Sequence, residues 1–228
     1  MRSGIISIVC FLIIIIGYSC KSHGGKDINE GEIHYGIEYG SSLGSVPREM
    51  LPKTLVVYFK KNKTLFEMVS MFGNSGISNL SNPEAGIYDT YFGLFSMRYY
   101  YAAEKGELFP GFDAMDGIEV KKTSKIMDIC GFRCKNAEAI IPSDRNKIIS
   151  IWYTDEIDVK GSNIGTPFND IDGVLLDFIF YLGDTEVHFS AENIYSKEIS
   201  DKTFERRANY KRVTKDELNK FINRMISL

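Results

Sequence analysis

Three observations predict a mainly β, α+β domain: one antiparallel sheet closed by a C-terminal helix. Short segments alternate apolar and polar residues with a period of two, tight-turn signals separate consecutive segments, and a single stretch carries apolar residues at helical spacing. The chain has 228 residues, of which 44% are hydrophobic and 13% aromatic, enough for one domain core and incompatible with a disordered or collagen-like chain. Its 27 basic and 30 acidic residues lack the basic excess that nucleic-acid binding requires.

Residues 1–19 read as a signal peptide. Met1-Arg2-Ser3-Gly4 carries one positive charge and leads into the apolar run Ile5 to Ile16. As a helix that run is about 18 Å long, short of a hydrocarbon core of roughly 30 Å, so it is an export signal and not a span. Ser19-Cys20 resembles the lipobox of bacterial lipoproteins, whose new N-terminal cysteine carries a diacylglyceryl group. Cys20 is thus the expected lipidation site, with a plain secretory signal as the alternative. Residues 20–30 form a polar, Gly-rich tether, and residues 31–228 form the single β-rich domain. The expected address is the bacterial cell envelope, as a periplasm-facing lipoprotein of the outer membrane, held to the membrane through its N-terminal anchor.

The strands follow in order. Glu32 to Tyr39 places Ile33, Tyr35, Ile37 and Tyr39 on one face, and a short helix is expected over Pro47 to Leu51. Thr54 to Lys60 and Thr64 to Met71 flank a hairpin-length turn. Ile87 to Phe95, Met97 to Ala103, Ile118 to Ile129, Phe132 to Ile141 and Lys147 to Ile157 come next, the last with the only tryptophan, Trp152. The loop from Ile157 to Asp172 is rich in turn formers and reads as the most mobile segment. Val174 to Leu182 and Glu186 to Ile194 flank Gly183-Asp184, and such short connections make the sheet antiparallel. Thr214 with Glu217 forms a capping box ahead of Leu218, Phe221, Ile222, Met225 and Ile226, one apolar stripe.

Several pieces of the chain, in this order, carry a family resemblance. They are Gly31-Glu32-Ile33-His34-Tyr35, Leu51-Pro52-Lys53 leading into Val57 to Lys63, Ile129 to Ala137, Trp152-Tyr153-Thr154-Asp155, and Ser200 to Phe204 with Tyr210-Lys211. Together they resemble a domain-of-unknown-function family of exported Gram-negative lipoproteins, related in pattern to the GLPGLI family. The resemblance implies a curved sheet wrapped over a helix, similar to the half-barrel of LolA-type lipoprotein carriers, and it implies no catalytic residues.

Enzyme signatures are absent: there is no GxSxG, P-loop, HExxH or GxGxxG. Of three histidines only His188 sits on a later strand, and no other ligand stands at a recognised metal spacing, so no metal and no cofactor is expected. Cys130 and Cys134, with Gly131 between them, suggest a disulfide in an oxidising compartment; free thiols and redox chemistry are the alternatives. Aromatics and methionines crowd the segments from Phe66 to Tyr101, a composition suited either to a core or to an adaptable apolar cavity. The residues expected to line such a cavity are Phe66, Met68, Tyr99, Tyr101, Trp152 and Phe178. The leading expectation is a non-enzymatic binding module for an apolar or lipid-like ligand. The alternative is an envelope protein-interaction module with a filled core and an exposed sheet edge.

Overall fold

The structure, a computed structural model, describes residues 28–40, 51–70, 76–142, 144–183 and 185–227. The signal peptide, Cys20, nearly all of the tether, residues 47–50 of the expected short helix and Met71 lie outside the described residues.

Twelve strands form one sheet: β1 (Glu30–Tyr39), β2 (Thr54–Lys60), β3 (Lys63–Val69), β4 (Gly76–Asn82), β5 (Ile87–Leu94), β6 (Met97–Ala102), β7 (Glu119–Ile129), β8 (Phe132–Ile141), β9 (Asp144–Thr154), β10 (Val174–Leu182), β11 (Thr185–Ser196) and β12 (Lys211–Arg212). The single α-helix among the described residues, α1 (Lys215–Ser227), follows the last strand. The spatial order is β12-β6-β5-β4-β3-β2-β1-β11-β10-β9-β8-β7. Two antiparallel meanders, β1 to β6 and β7 to β11, are therefore joined where β1 pairs with β11, from Gly31↔Ser196 to Tyr39↔Val187. Only the two-residue β12 runs parallel to its neighbour, β6.

The sheet is strongly curved, and one cleft shows why it must be. Phe66 and Met68 on β3 share that cleft with Phe180 and Leu182 on β10, although three strands separate them. In a flat sheet β3 and β10 would stand about 19 Å apart at the usual strand spacing. The curved inner face carries the larger core, including Phe178, Phe168, Phe180 and Phe189. Phe178 stacks on Phe189 at 5.1 Å and meets Tyr35 edge-on at 5.7 Å. Tyr35 donates its hydroxyl to the Leu175 carbonyl at 2.7 Å, so its polar end is satisfied.

Helix α1 starts where the capping box places it. The Glu217 N–H donates to Thr214 Oγ1 at 3.3 Å, and Glu217 Oε2 accepts from the Thr214 N–H at 2.9 Å. Leu218 and Ile222 are fully buried, and Phe221 lies flat on Tyr99, 4.7 Å between centroids. The helix thus seals the β5–β6 end of the inner face.

On the other face, a strap of residues 197–213 covers β3 to β6. It buries Phe204 and Ile199 against Leu65, Leu80 and Tyr91, a second and smaller core. Arg206 grips the fully buried Asp89 with two hydrogen bonds of 2.7 and 3.0 Å, and Arg207 pairs with Glu67.

Three expectations change. Strand β4 has no counterpart among the expected strands, because its sequence GISNLSN is rich in Ser and Asn and hides the apolar period. The segment from Ile157 to Asp172 is built into the core: Phe168 and Ile171 are buried, and Asn163 Nδ2 donates to the carbonyls of Ile171 and Gly173 at 2.7 and 2.9 Å. The disulfide between Cys130 and Cys134 is not formed; both are free thiols. Cys130 and Gly131 are the two central residues of the β7–β8 hairpin turn, with φ of 52° and 82°, as a type I′ turn requires. Ile129 therefore faces Phe132 directly, Cys134 is carried down β8 opposite Met127, and the Cys130 thiol turns away to the Ala191 carbonyl at 3.2 Å.

Candidate functional site

Strand register gathers four of the six expected cavity residues in two adjacent rows of the inner face. Leu55, Met68, Ile77, Phe92 and Tyr99 are successive cross-strand partners from β2 to β6, and Val57, Phe66, Asn79, Thr90 and Tyr101 form the next row. Directly opposed residues share a face, so both rows look into the curved interior. At the β6 end the rows are already occupied: Tyr99 lies under Phe221, and the Tyr101 hydroxyl donates to the Glu107 carboxylate at 2.9 Å. At the β2–β4 end they are open.

There the side chains of Leu55, Phe66, Met68 and Ile77 form one wall of a cleft. Phe180, Leu182 and Phe189 form the facing wall, and Pro110 with Phe112 closes the end. The end piece is held in place from two sides. The Phe109 N–H donates to the Gly165 carbonyl at 2.8 Å, and the Gly111 N–H donates to Asn219 Oδ1 of α1 at 2.7 Å. Gly165 has φ 77°, and a β-carbon there would stand 2.6 Å from the Phe109 ring, so both its conformation and the close approach require glycine. Phe112 then packs on Phe180 at 4.6 Å.

The cleft encloses a cavity of about 40 Å³. That is room for about three water-sized groups, so the end of a chain fits and a whole acyl chain does not. Among the described residues no acid, base or thiol lines it, and the one polar lining residue is Asn79, whose Oδ1 accepts from the buried Thr90 hydroxyl at 2.9 Å. A second void of about 10 Å³ lies beside Tyr35, Val57 and Phe66.

The remaining two expected residues are elsewhere. Phe178 is fully buried in the aromatic core and lines neither space. Trp152 alternates with the buried Ile151 and Tyr153 and shares the outer face with its partners Asp177 and Asn136. Leu55, Ile77, Asn79 and the facing wall were not expected. The alternation of β2 would have found Leu55, whereas Ile77 and Asn79 were missed along with β4.

On that outer face His188 meets an acid. His188 Nε2 lies 3.1 Å from Asp177 Oδ1, Ser190 Oγ donates to Asp177 Oδ2 at 2.8 Å, and Ser190 Oγ and His188 Nε2 are 3.4 Å apart. Asp177 is the hub, so the serine proton is directed to the carboxylate and not to the imidazole. A nucleophile, base and orienting acid in series would need the opposite order. The cysteines are poor nucleophiles: burial pushes the Cys134 thiol up to about 12 and raises Cys130 as well. Among the described residues no group of three or more His, Cys, Asp or Glu is placed to hold a metal.

Comparison with solved structures gives a fold. PNGF-II in one crystal form aligns with a TM-score of 0.52 and 17% identity over 85% of this chain and 32% of that one; in a second form the values are 0.54, 18%, 85% and 33%. LprF from Mycobacterium bovis aligns more distantly, with a TM-score of 0.28 and 9% identity over 76% of this chain and 89% of that one. No family model matches the chain, so the lipoprotein-family resemblance of its motifs has no counterpart there. No curated protein matches it either. What the chain shares with PNGF-II is a β-rich architecture that spans about a third of that protein's length.

Proposed function

We propose that this chain is a lipid-anchored envelope lipoprotein whose domain is a non-enzymatic binding module for an apolar or lipid-like ligand. The observation that carries the reading is the cleft between Phe66, Met68, Ile77 and Phe180, whose described lining holds no charged side chain. Ligand sites are concave, mostly apolar and fixed by few polar groups, and this cleft has that composition. Its small enclosed volume means that a ligand enters by its apolar end. Met68, with an unbranched and adaptable side chain, is the wall that yields to it. The anchor rests on Ser19-Cys20 and would keep the cleft beside a bilayer.

The test is native mass spectrometry of the full chain carrying Cys20→Ser, purified gently from its own envelope, with organic extraction of whatever co-purifies. A stoichiometric apolar adduct is expected, lost in a folded Met68→Trp variant that fills the cleft. A bare mass for the parent chain sinks the reading.

A second reading has one observation in its favour. Strand β7 is a long exposed edge with Ile126 and Met127 in solvent, the kind of template on which a partner strand can add. Lys121, Lys122, Lys125 and the register shift between Lys122 and Ile126 weigh against it, since lysines and bulges are the devices that keep edges unpaired. Recovery of a partner protein in place of an adduct would favour this reading.

A further inference from the structure

The inner face of β4 turns polar after Ile77. Asn79 and Ser81 follow Ile77 on that face, and their cross-strand partners are Phe66 and Thr90 for Asn79, and Thr64 and Tyr88 for Ser81. Thr64, Ser81 and Thr90 are buried. The Ser81 hydroxyl has no hydrogen-bond partner among the described residues. Ser81 does not line the cleft, whereas Asn79 does. Asn79 Oδ1 accepts from the Thr90 hydroxyl, so the donor that this cleft-lining amide has to offer is its Nδ2 end. Among the described residues no Lys, Arg or His lines the cleft.

We infer that Asn79, held by Thr90, reads a neutral hydrogen-bond acceptor on the ligand, so that the cleft selects uncharged carbonyl compounds such as esters or amides of apolar chains over hydrocarbons and over carboxylate anions. The inference rests on the cleft being a ligand site and specifies its ligand. A hydrocarbon leaves the amide donor unpaired when it displaces water. An anion brings a charge into a space where no described residue offers a cation, which costs far more than a neutral carbonyl does. Asn79 is a specificity residue in this account and Thr90 positions it.

The test uses the full chain carrying Cys20→Ser with isotope-labelled methionine methyl groups, and three probes: methyl hexanoate, heptane and the hexanoate anion at neutral pH. Binding is read from the shift of the Met68 methyl resonance. The ester is expected to bind tightest, about tenfold above heptane, which is the upper range for one neutral hydrogen bond. Hexanoate binds weakest. Asn79→Leu removes the preference for the ester over heptane; Asn79→Gln, which retains the amide but moves it, also loses the preference and serves if the leucine variant fails to fold. Thr90→Val shows a smaller loss of the same preference. Equal binding of ester and heptane by the parent chain, or an unchanged preference in a folded Asn79 variant, overturns the inference while leaving the cleft as an apolar site. If none of the three probes moves the Met68 resonance, the cleft reading falls and this inference with it.

Discussion

The two faces of this sheet are held by different physics. The inner face is closed by aromatic packing, with Phe178, Phe189, Phe180 and Phe168 in mutual contact and no ion pair among them. The outer face under the strap is fastened by charge: Arg206 on buried Asp89, Arg207 on Glu67, and Lys60 and Lys63 on Asp201. Packing is non-directional and tolerates an opening, whereas a buried charge must be matched by its partner. The apolar face is therefore the one that can carry an adaptable cleft, and the charged face is the one that must fit in a single way.

Substitutions can separate the two. Phe178→Ala empties the centre of the aromatic cluster and should cost about 3 to 5 kcal/mol, read as a lower midpoint in urea unfolding. Arg206→Ala should cost less, about 2 to 3 kcal/mol, because Arg206 is half exposed while the carboxylate it leaves behind is fully buried. Adding Asp89→Asn should recover part of that loss; no recovery in the double variant would mean that the strap is held by packing and not by the ion pair. Thr214→Ala removes the helix cap and should cost about 1 kcal/mol, with the helix over Tyr99 loosening first in hydrogen exchange.

A fourth prediction concerns acid. Glu30 accepts a 2.6 Å hydrogen bond from the Ile199 N–H and lies 3.3 Å from Lys60 Nζ, and that backbone bond, with the lysine beside it, holds its carboxyl below the ordinary 4.5. Its folded pKa is lower than its unfolded one, so its contribution is complete above about 4.5 and disappears as pH falls through the folded value. Melting curves of the parent chain and of Glu30→Gln should differ at pH 7 and converge in acid. A gap that persists in acid would show that the carboxylate charge is not what fastens the strap there.

Much of the fold was legible because most strands alternate and most turns are short. Thr54–Lys60, Phe132–Ile141 and Val174–Leu182 carry their boundaries in the sequence, as does the capping box at Thr214. Strand β4 was not legible, since its inward residues after Ile77 are Asn79 and Ser81, which a hydrophobic period does not mark. Ile77 and Asn79 of the candidate site were lost with it. Phe66 and Met68 were found by composition, but composition does not distinguish an inward aromatic at an open end from one under a helix, and Tyr99 and Tyr101 proved to be already engaged. Trp152 and Phe178 differ by face and by depth, which only the pairing of β9 with β10 reveals. The cysteine pair misled for a similar reason: the glycine that could have closed a disulfide loop instead makes the hairpin turn that separates the two thiols.

The join between β1 and β11 has a consequence in time. A chain made from its N-terminus exposes Gly31 to Tyr39 early, yet the strand that completes one side of it, Val187 to Ser196, emerges only after all the strands of both meanders that precede it. Until then the middle of the future sheet is an open edge, and closing it waits on a long-range contact that is slow to form. The interval between those two arrivals leaves an unpaired strand on which another chain can add.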